Sequence, residues 1–209
     1  MAPAIIREMY PVVATNASTL INFSSYDTNV LERNGVKAVL RYVDRAELYR
    51  LGRLNQDPNS GGDGLSPVIT VFLAEMSNGR GGKVKIDLTQ AVLIDAFSNV
   101  LKAYTIESFK EAHPASIEGI GGTLFLFGDS YVVSSSRKKG KVKKNLTKTP
   151  VLKPGEKLRS FIVFDQSSEF SPTLTVLIPA VEAFDGEKSV LKFDLKFKFL
   201  QRLKRRETP

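Results

Sequence analysis

The sequence predicts an all-β protein built as an antiparallel two-sheet sandwich, and two observations carry that prediction. The first is residues 190–199, where Leu191, Phe193, Leu195, Phe197 and Phe199 alternate without a break against Lys192, Asp194, Lys196 and Lys198. Successive side chains of a strand point to opposite faces, so this segment has one apolar and one charged face. A helix would scatter the same residues around its circumference. A single wet face belongs to an antiparallel sheet, because parallel sheets are covered on both sides. The second observation is the punctuation of the chain: about nine or ten short apolar segments separated by glycine, proline and asparagine turns, with two short helical segments. With 209 residues the chain can bury a full core. It shows no internal repeat or composition shift, so one domain over 1–209 is expected.

Residues 19–23 read as a first strand, and residues 36–43 as the next, entered through the turn Asn34-Gly35. Asp44 precedes a set of helix formers closed by Gly52, which predicts a short capped helix. Residues 53–66 contain Asp57-Pro58-Asn59-Ser60-Gly61-Gly62-Asp63-Gly64 and are expected as a flexible loop. The β-branched stretch 67–77 runs into Asn78-Gly79-Arg80-Gly81-Gly82, and alternation resumes over 83–87, predicting a hairpin with a glycine-rich turn. A strand over 92–94 turns at Ser98-Asn99. Thr105 caps a second helix, Ile106 to Ala112, which Pro114 stops. Strands are expected at 123–127 and 131–133, a second flexible loop at 134–150, and a turn at Lys153-Pro154-Gly155-Glu156 leading into a strand over 158–164. Residues 173–178 and the alternating segment complete the strands, leaving 200–209 as a basic C-terminal tail. The expected core is Phe72, Val92, Leu124, Leu126, Phe161, Val163, Leu174, Val176, Phe193, Leu195 and Phe197.

Composition excludes several chemistries. The absence of cysteine rules out disulfides, thiolate metal sites and cysteine nucleophiles. One histidine, His113, cannot by itself build a zinc site, which needs several nitrogen or sulfur ligands. No segment approaches the roughly 18 consecutive apolar residues of a transmembrane helix. Residues 1–10 lack a long apolar stretch after a basic start and do not read as a signal peptide. The formal charge of +8 is local. Arg137, Lys138, Lys139, Lys141, Lys143, Lys144 and Lys148 supply seven cations with no acid among them, and Arg202, Lys204, Arg205 and Arg206 supply four. Subtracting these eleven from +8 leaves −3 on the rest of the chain.

Three segments occur in an order that resembles a known group. A strand ending in a polar turn (68–78) precedes an aspartate-bearing strand and turn (Val92-Leu93-Ile94-Asp95, then Ser98-Asn99). A Pro154-Gly155-Glu156 turn then feeds the aromatic strand Phe161-Ile162-Val163-Phe164, and residues 174–179 follow. Over residues 67–200 this is similar to the telokin-like immunoglobulin-fold domains of bacterial secreted proteins and lipoproteins. The resemblance implies an immunoglobulin-like sandwich, in whose connections the two short helices read above would lie. It also implies a non-enzymatic binding or accessory module of the bacterial envelope; separately, no cofactor or metal is expected. The chain lacks the N-terminal cysteine of the lipoprotein members. An extracytoplasmic location (periplasm or envelope) is expected if a leader has been removed.

The remaining motifs read as structural. His113 ends a helix, where a histidine complements the dipole. Gly119-Ile120-Gly121-Gly122 and Gly79-Arg80-Gly81-Gly82 are not followed by helices, which phosphate cradling needs. Ser134-Ser135-Ser136 has no base nearby and no nucleophile elbow. Asp87, Asp95, Asp129 and Asp165 fall at strand ends, where carboxylates serve turns. The two basic runs are the candidate anionic-partner-binding residues; 137–148 also reads simply as a solvated hairpin loop, and beyond that the runs admit two functional readings. One is docking to a protein or an anionic envelope surface; the other is phosphate contact with nucleic acid. No aromatic interleaves 137–148, as base stacking would require, which favours the first.

Overall fold

The computed structural model describes residues 5–12, 29–50, 69–113, 131–133, 143–144, 149–168 and 170–205. Among these, thirteen strands and two short helices follow in the order β1 (Ile5–Val12), β2 (Asn29–Arg33), β3 (Val36–Val43), α1 (Arg45–Arg50), β4 (Ile69–Asn78), β5 (Val84–Lys85), β6 (Val92–Asp95), β7 (Val100–Lys102), α2 (Ile106–Ala112), β8 (Tyr131–Val133), β9 (Lys143–Lys144), β10 (Val151–Leu152), β11 (Lys157–Asp165), β12 (Thr173–Asp185) and β13 (Lys188–Arg205). They form two antiparallel sheets. The seven-stranded sheet runs β1-β13-β12-β5-β10, with β6 also on β12 and β7 on β6. The six-stranded sheet runs β2-β3-β4-β11-β8-β9. The expected two-sheet, all-β sandwich with two short helices is the observed architecture.

The alternation in β13 works as its sequence demands. Phe193, Leu195, Phe197 and Phe199 are buried, while Lys192, Asp194, Lys196 and Lys198 are exposed. Across the core they meet Leu40, Phe72, Met76, Leu158 and Phe164 of the six-stranded sheet. Phe72 sits at the centre, with ring centroids 5.0 Å from Phe199, 5.9 Å from Tyr42 and 6.1 Å from Phe164.

A second apolar cluster lies on the outer face of the six-stranded sheet. Val43, Ile69, Val71, Leu73 and Val163 pack there beneath Leu48 of α1 and Phe109 of α2. Strand β4 is therefore covered on both faces, which is why its sequence reads as a continuous apolar run rather than an alternation. Two core expectations shift for the same reason. Val163 is buried and Phe161 half-buried, but both belong to this outer cluster, while Ile162 and Phe164 face the inter-sheet core. Val92 is half-buried and points outward, leaving Leu93 as the core residue of β6. Leu124 and Leu126 lie outside the described residues, as do residues 19–23, 53–66 and 123–127.

Local chemistry fixes the connections. Asn34 (φ 52°) and Gly35 (φ 73°) make the two-residue turn between β2 and β3, where both central residues need positive φ. Asp44 accepts from the Glu47 N–H at 2.6 Å to start α1, and Thr105 with Ser108 forms a capping box at α2. The glycine-rich segment after β4 is not a hairpin turn. It carries the chain from one sheet to the other, where β5 docks on β12.

Asn78, at the end of β4, organises that crossing. Its buried side chain donates to Gly82 O at 2.8 Å and Leu152 O at 3.0 Å and accepts from the Arg80 N–H at 2.9 Å. Alanine here would strand three backbone groups, so Asn78→Ala is expected to cost about 3 kcal/mol. For a chain of this size that is roughly 6–12 °C in Tm. Calorimetry of both proteins measures it, and a loss under about 1 kcal/mol would contradict the hub role.

Two boundaries move outward. β12 continues past Pro179 through a bulge between Ile178 and Val181, where Ala180 takes φ 56° and its N–H donates to Asp194 Oδ1 at 2.9 Å. Residues 200–205, expected as a tail, extend β13 and pair with β1 from Tyr10 to Ile5.

Candidate anionic-partner interface

The described parts of the two basic runs lie on different strands of different sheets. Lys143 and Lys144 form β9 at one margin of the six-stranded sheet, paired with Val132 and Tyr131 of β8. This short strand lies inside the segment expected as a loop. Arg202, Lys204 and Arg205 lie on β13 opposite Glu8, Ile6 and Ile5 of β1. At the other margin of the six-stranded sheet, β2 crosses to β13: Asn29 Nδ2 donates to Lys198 O and Arg33 Nη1 to Asp194 O, each at 3.0 Å. Five strand spacings separate β2 from β9, roughly 24 Å. The margin of the six-stranded sheet that meets β13 is therefore the one away from Lys143 and Lys144. Arg137, Lys138, Lys139, Lys141, Lys148 and Arg206 lie outside the described residues.

The described cations divide into neutralised and open ones. Arg41 holds Glu47 with two bonds of 2.6 and 2.8 Å, and that hydrogen bond, against the opposing effect of burial, raises the guanidinium pKa further. Glu182 is shared by Lys85 at 3.7 Å and Lys192 at 3.6 Å. Lys83 pairs with Glu187 at 2.6 Å, holding that carboxyl below the usual range, and Arg159 with Glu75 at 3.1 Å. Lys102, Lys196 and Lys198 are exposed and carry no ion pair among the described residues. They share the outer face of the seven-stranded sheet. One row across it reads Lys198, Thr175, Ile94, Val100, and the next Lys196, Leu177, Val92, Lys102.

The carboxylates singled out in the sequence serve turns. Asp87 caps a single turn of 3₁₀ helix and accepts from Thr89 and Thr149. Desolvation pushes the Asp95 carboxyl up, but hydrogen bonds from Asn99 and Phe97 outweigh it and hold the pKa below the usual range. Asp165 accepts from the Gln166 N–H. Burial and the nearby Asp165 raise the Tyr104 phenol, and Asp129 lies outside the described residues. His113 ends α2 with its N–H on Phe109 O and its ring 4.7 Å from Phe109 and 5.6 Å from Tyr104. No group of three potential metal ligands occurs among the described residues. None of their helices is long and apolar enough to cross a membrane.

No protein-family model matches this chain, and no curated protein matches it. Among solved structures it is similar to MPT63, a secreted protein from Mycobacterium tuberculosis, at 13% identity over 81% of this chain and 92% of that one, with a TM-score of 0.33. It is also similar to SoR45, a Northeast Structural Genomics Consortium target, at 11% identity over 79% and 83% of the two chains, with a TM-score of 0.30. Scores this low carry no inference about this chain.

Proposed function

We propose that this chain is a non-enzymatic binding or accessory module of the bacterial envelope, an immunoglobulin-like sandwich that docks on an anionic partner outside the cytoplasm. The observation that carries the reading is the concentration of eleven cations in two short segments of an otherwise mildly acidic body. Such local fields steer and hold anionic surfaces, while a dispersed excess of the same size would not. The segment order shared with telokin-like domains of secreted proteins supports the location.

Fractionating the native organism tests the location, and the protein is expected in the envelope or periplasmic fraction. The charge reversal K138E/K139E/K143E/K144E is expected to release it from envelope preparations at low salt. Recovery in the cytosol, or retention unchanged by the reversal, overturns the proposal. Binding to labelled oligonucleotides with a log–log salt slope of about −0.9 per duplex phosphate would instead assign the runs to nucleic acid.

A further inference from the structure

One end of the sandwich holds two aromatic side chains out of the core. Phe97 is 59% and Phe170 83% exposed, and Val100, beside the Phe97 turn, is 56% exposed. The same device builds both tips. The Phe97 N–H donates to Asp95 Oδ1 at 2.8 Å, and the Phe170 N–H to Ser168 Oγ at 3.3 Å, so each ring sits two residues after a side chain that closes its turn. The turns are tied together and to β13. The Ala96 N–H donates to Ser171 Oγ at 2.8 Å, Gln201 N–H to Pro172 O at 2.9 Å, and Gln201 Nε2 to Ser168 O at 3.0 Å. The exposure of the rings is therefore built into anchored loops.

Behind the tips, the outer face of the seven-stranded sheet continues the pattern. Val92, Ile94, Val100 and Leu177 make an apolar strip, with Lys196 and Lys198 on one side and Lys102 on the other. Three strand spacings, about 14 Å, separate Lys198 from Val100. The outer face of the other sheet, by contrast, lies under α1 and α2.

We infer that this end is a peripheral membrane-docking surface for an anionic phospholipid bilayer, with Phe97 and Phe170 entering the interface and Lys102, Lys196 and Lys198 facing the headgroups. Aromatic rings are favoured at the headgroup level, and open lysines near an anionic leaflet add attraction. Protruding tips need no shaped counter-surface in a bilayer, whereas a folded partner would have to supply a pocket for each. The Asp95 carboxylate, the acid of the Phe97 turn, is occupied by Phe97 and Asn99. This surface is built from residues other than those of the basic runs, although it names a lipid source for the anionic partner proposed above.

The chain contains no tryptophan, so Phe170→Trp introduces a single reporter. With vesicles of phosphatidylglycerol and phosphatidylcholine its emission is expected to shift to the blue, while that of Val190→Trp, at the opposite end of the β12–β13 hairpin, stays unchanged. In sedimentation the protein is expected to bind these vesicles and not pure phosphatidylcholine. F97A and F170A should each weaken binding about tenfold, and each of K102Q, K196Q and K198Q up to about fivefold. Circular dichroism confirms that the variants are folded, and the tryptophan reporter reads insertion independently of them. No binding to the anionic vesicles overturns the inference, as does unchanged emission from the F170W protein once it is bound. Binding that survives F97A/F170A but is lost in K138E/K139E/K143E/K144E overturns it too, and leaves the proposed function standing.

Discussion

Phe72→Ala is expected to destabilise the protein by about 3–5 kcal/mol, the range for emptying a fully buried aromatic site. Phe72 is fully buried, and its ring bridges the sheets between Phe164 and Tyr42 on one side and Phe199 on the other. Two of those neighbours sit on strands of its own sheet and one on the other, so the cavity would open where the two sheets meet and neither could relax alone. The loss corresponds to a Tm lowered by roughly 6–20 °C for a chain of this length. Denaturant unfolding of both proteins measures it. A cost below about 1.5 kcal/mol would show that the inter-sheet contact is not centred on this ring.

Gly82→Ala is expected to cost at least as much, through steric exclusion rather than a cavity. A methyl group on Gly82 would lie 1.9 Å from Phe184 O and 3.1 Å from its carbonyl carbon. Both are backbone atoms of β12, and the next residue along is already committed, because Lys83 O accepts from the Phe184 N–H at 2.8 Å. The strand would have to move away, taking the β5 pairing with Glu182 and Ala183 with it. We expect about 4 kcal/mol or more. Gly81→Ala is the internal control: nothing lies within 4 Å of its Cβ position, and a change within about 0.5 kcal/mol is expected. Equal stabilities for the two variants would refute the close-approach account.

How much of this was legible in the sequence depends on whether one face of a strand is wet. The alternation of β13 was readable because Lys196 and Lys198 stand in solvent opposite buried Phe197 and Phe199. In β11 both faces are covered, so nothing in Phe161-Ile162-Val163-Phe164 says which pair meets the other sheet. β5 and β10 have two residues each and exist only through their pairing, which no local pattern encodes. β1 carries no clean period and finds its partner near residue 200. Pro179 reads as a strand end, and the bulge held by Asp194 overrides it. The basic runs were plain in composition, but the placement of their described residues on separate sheets was not. The aromatic tips did leave a signal: Phe97 in Ala-Phe-Ser-Asn and Phe170 in Ser-Glu-Phe-Ser are large apolar side chains inside polar turns.

The division of labour along β12 has a consequence for self-association. An exposed sheet margin is an open row of backbone donors and acceptors on which another chain can stack. β12 spans 13 residues, yet its side away from β13 is taken in two pieces: Leu174–Leu177 by β6, and Glu182 and Ala183 by β5. Each piece passes the margin to a strand no longer than itself, the three residues of β7 and the two of β10. The six-stranded sheet ends on the two residues of β9 at one side and on the five of β2, with exposed Glu32 and Arg33, at the other. The longest margin among the described strands, the eight residues of β1, is interrupted by Pro11, which has no N–H to offer. Splitting the sheet thus replaces one long template with fragments too short, too charged or too incomplete to fix the register of an incoming strand.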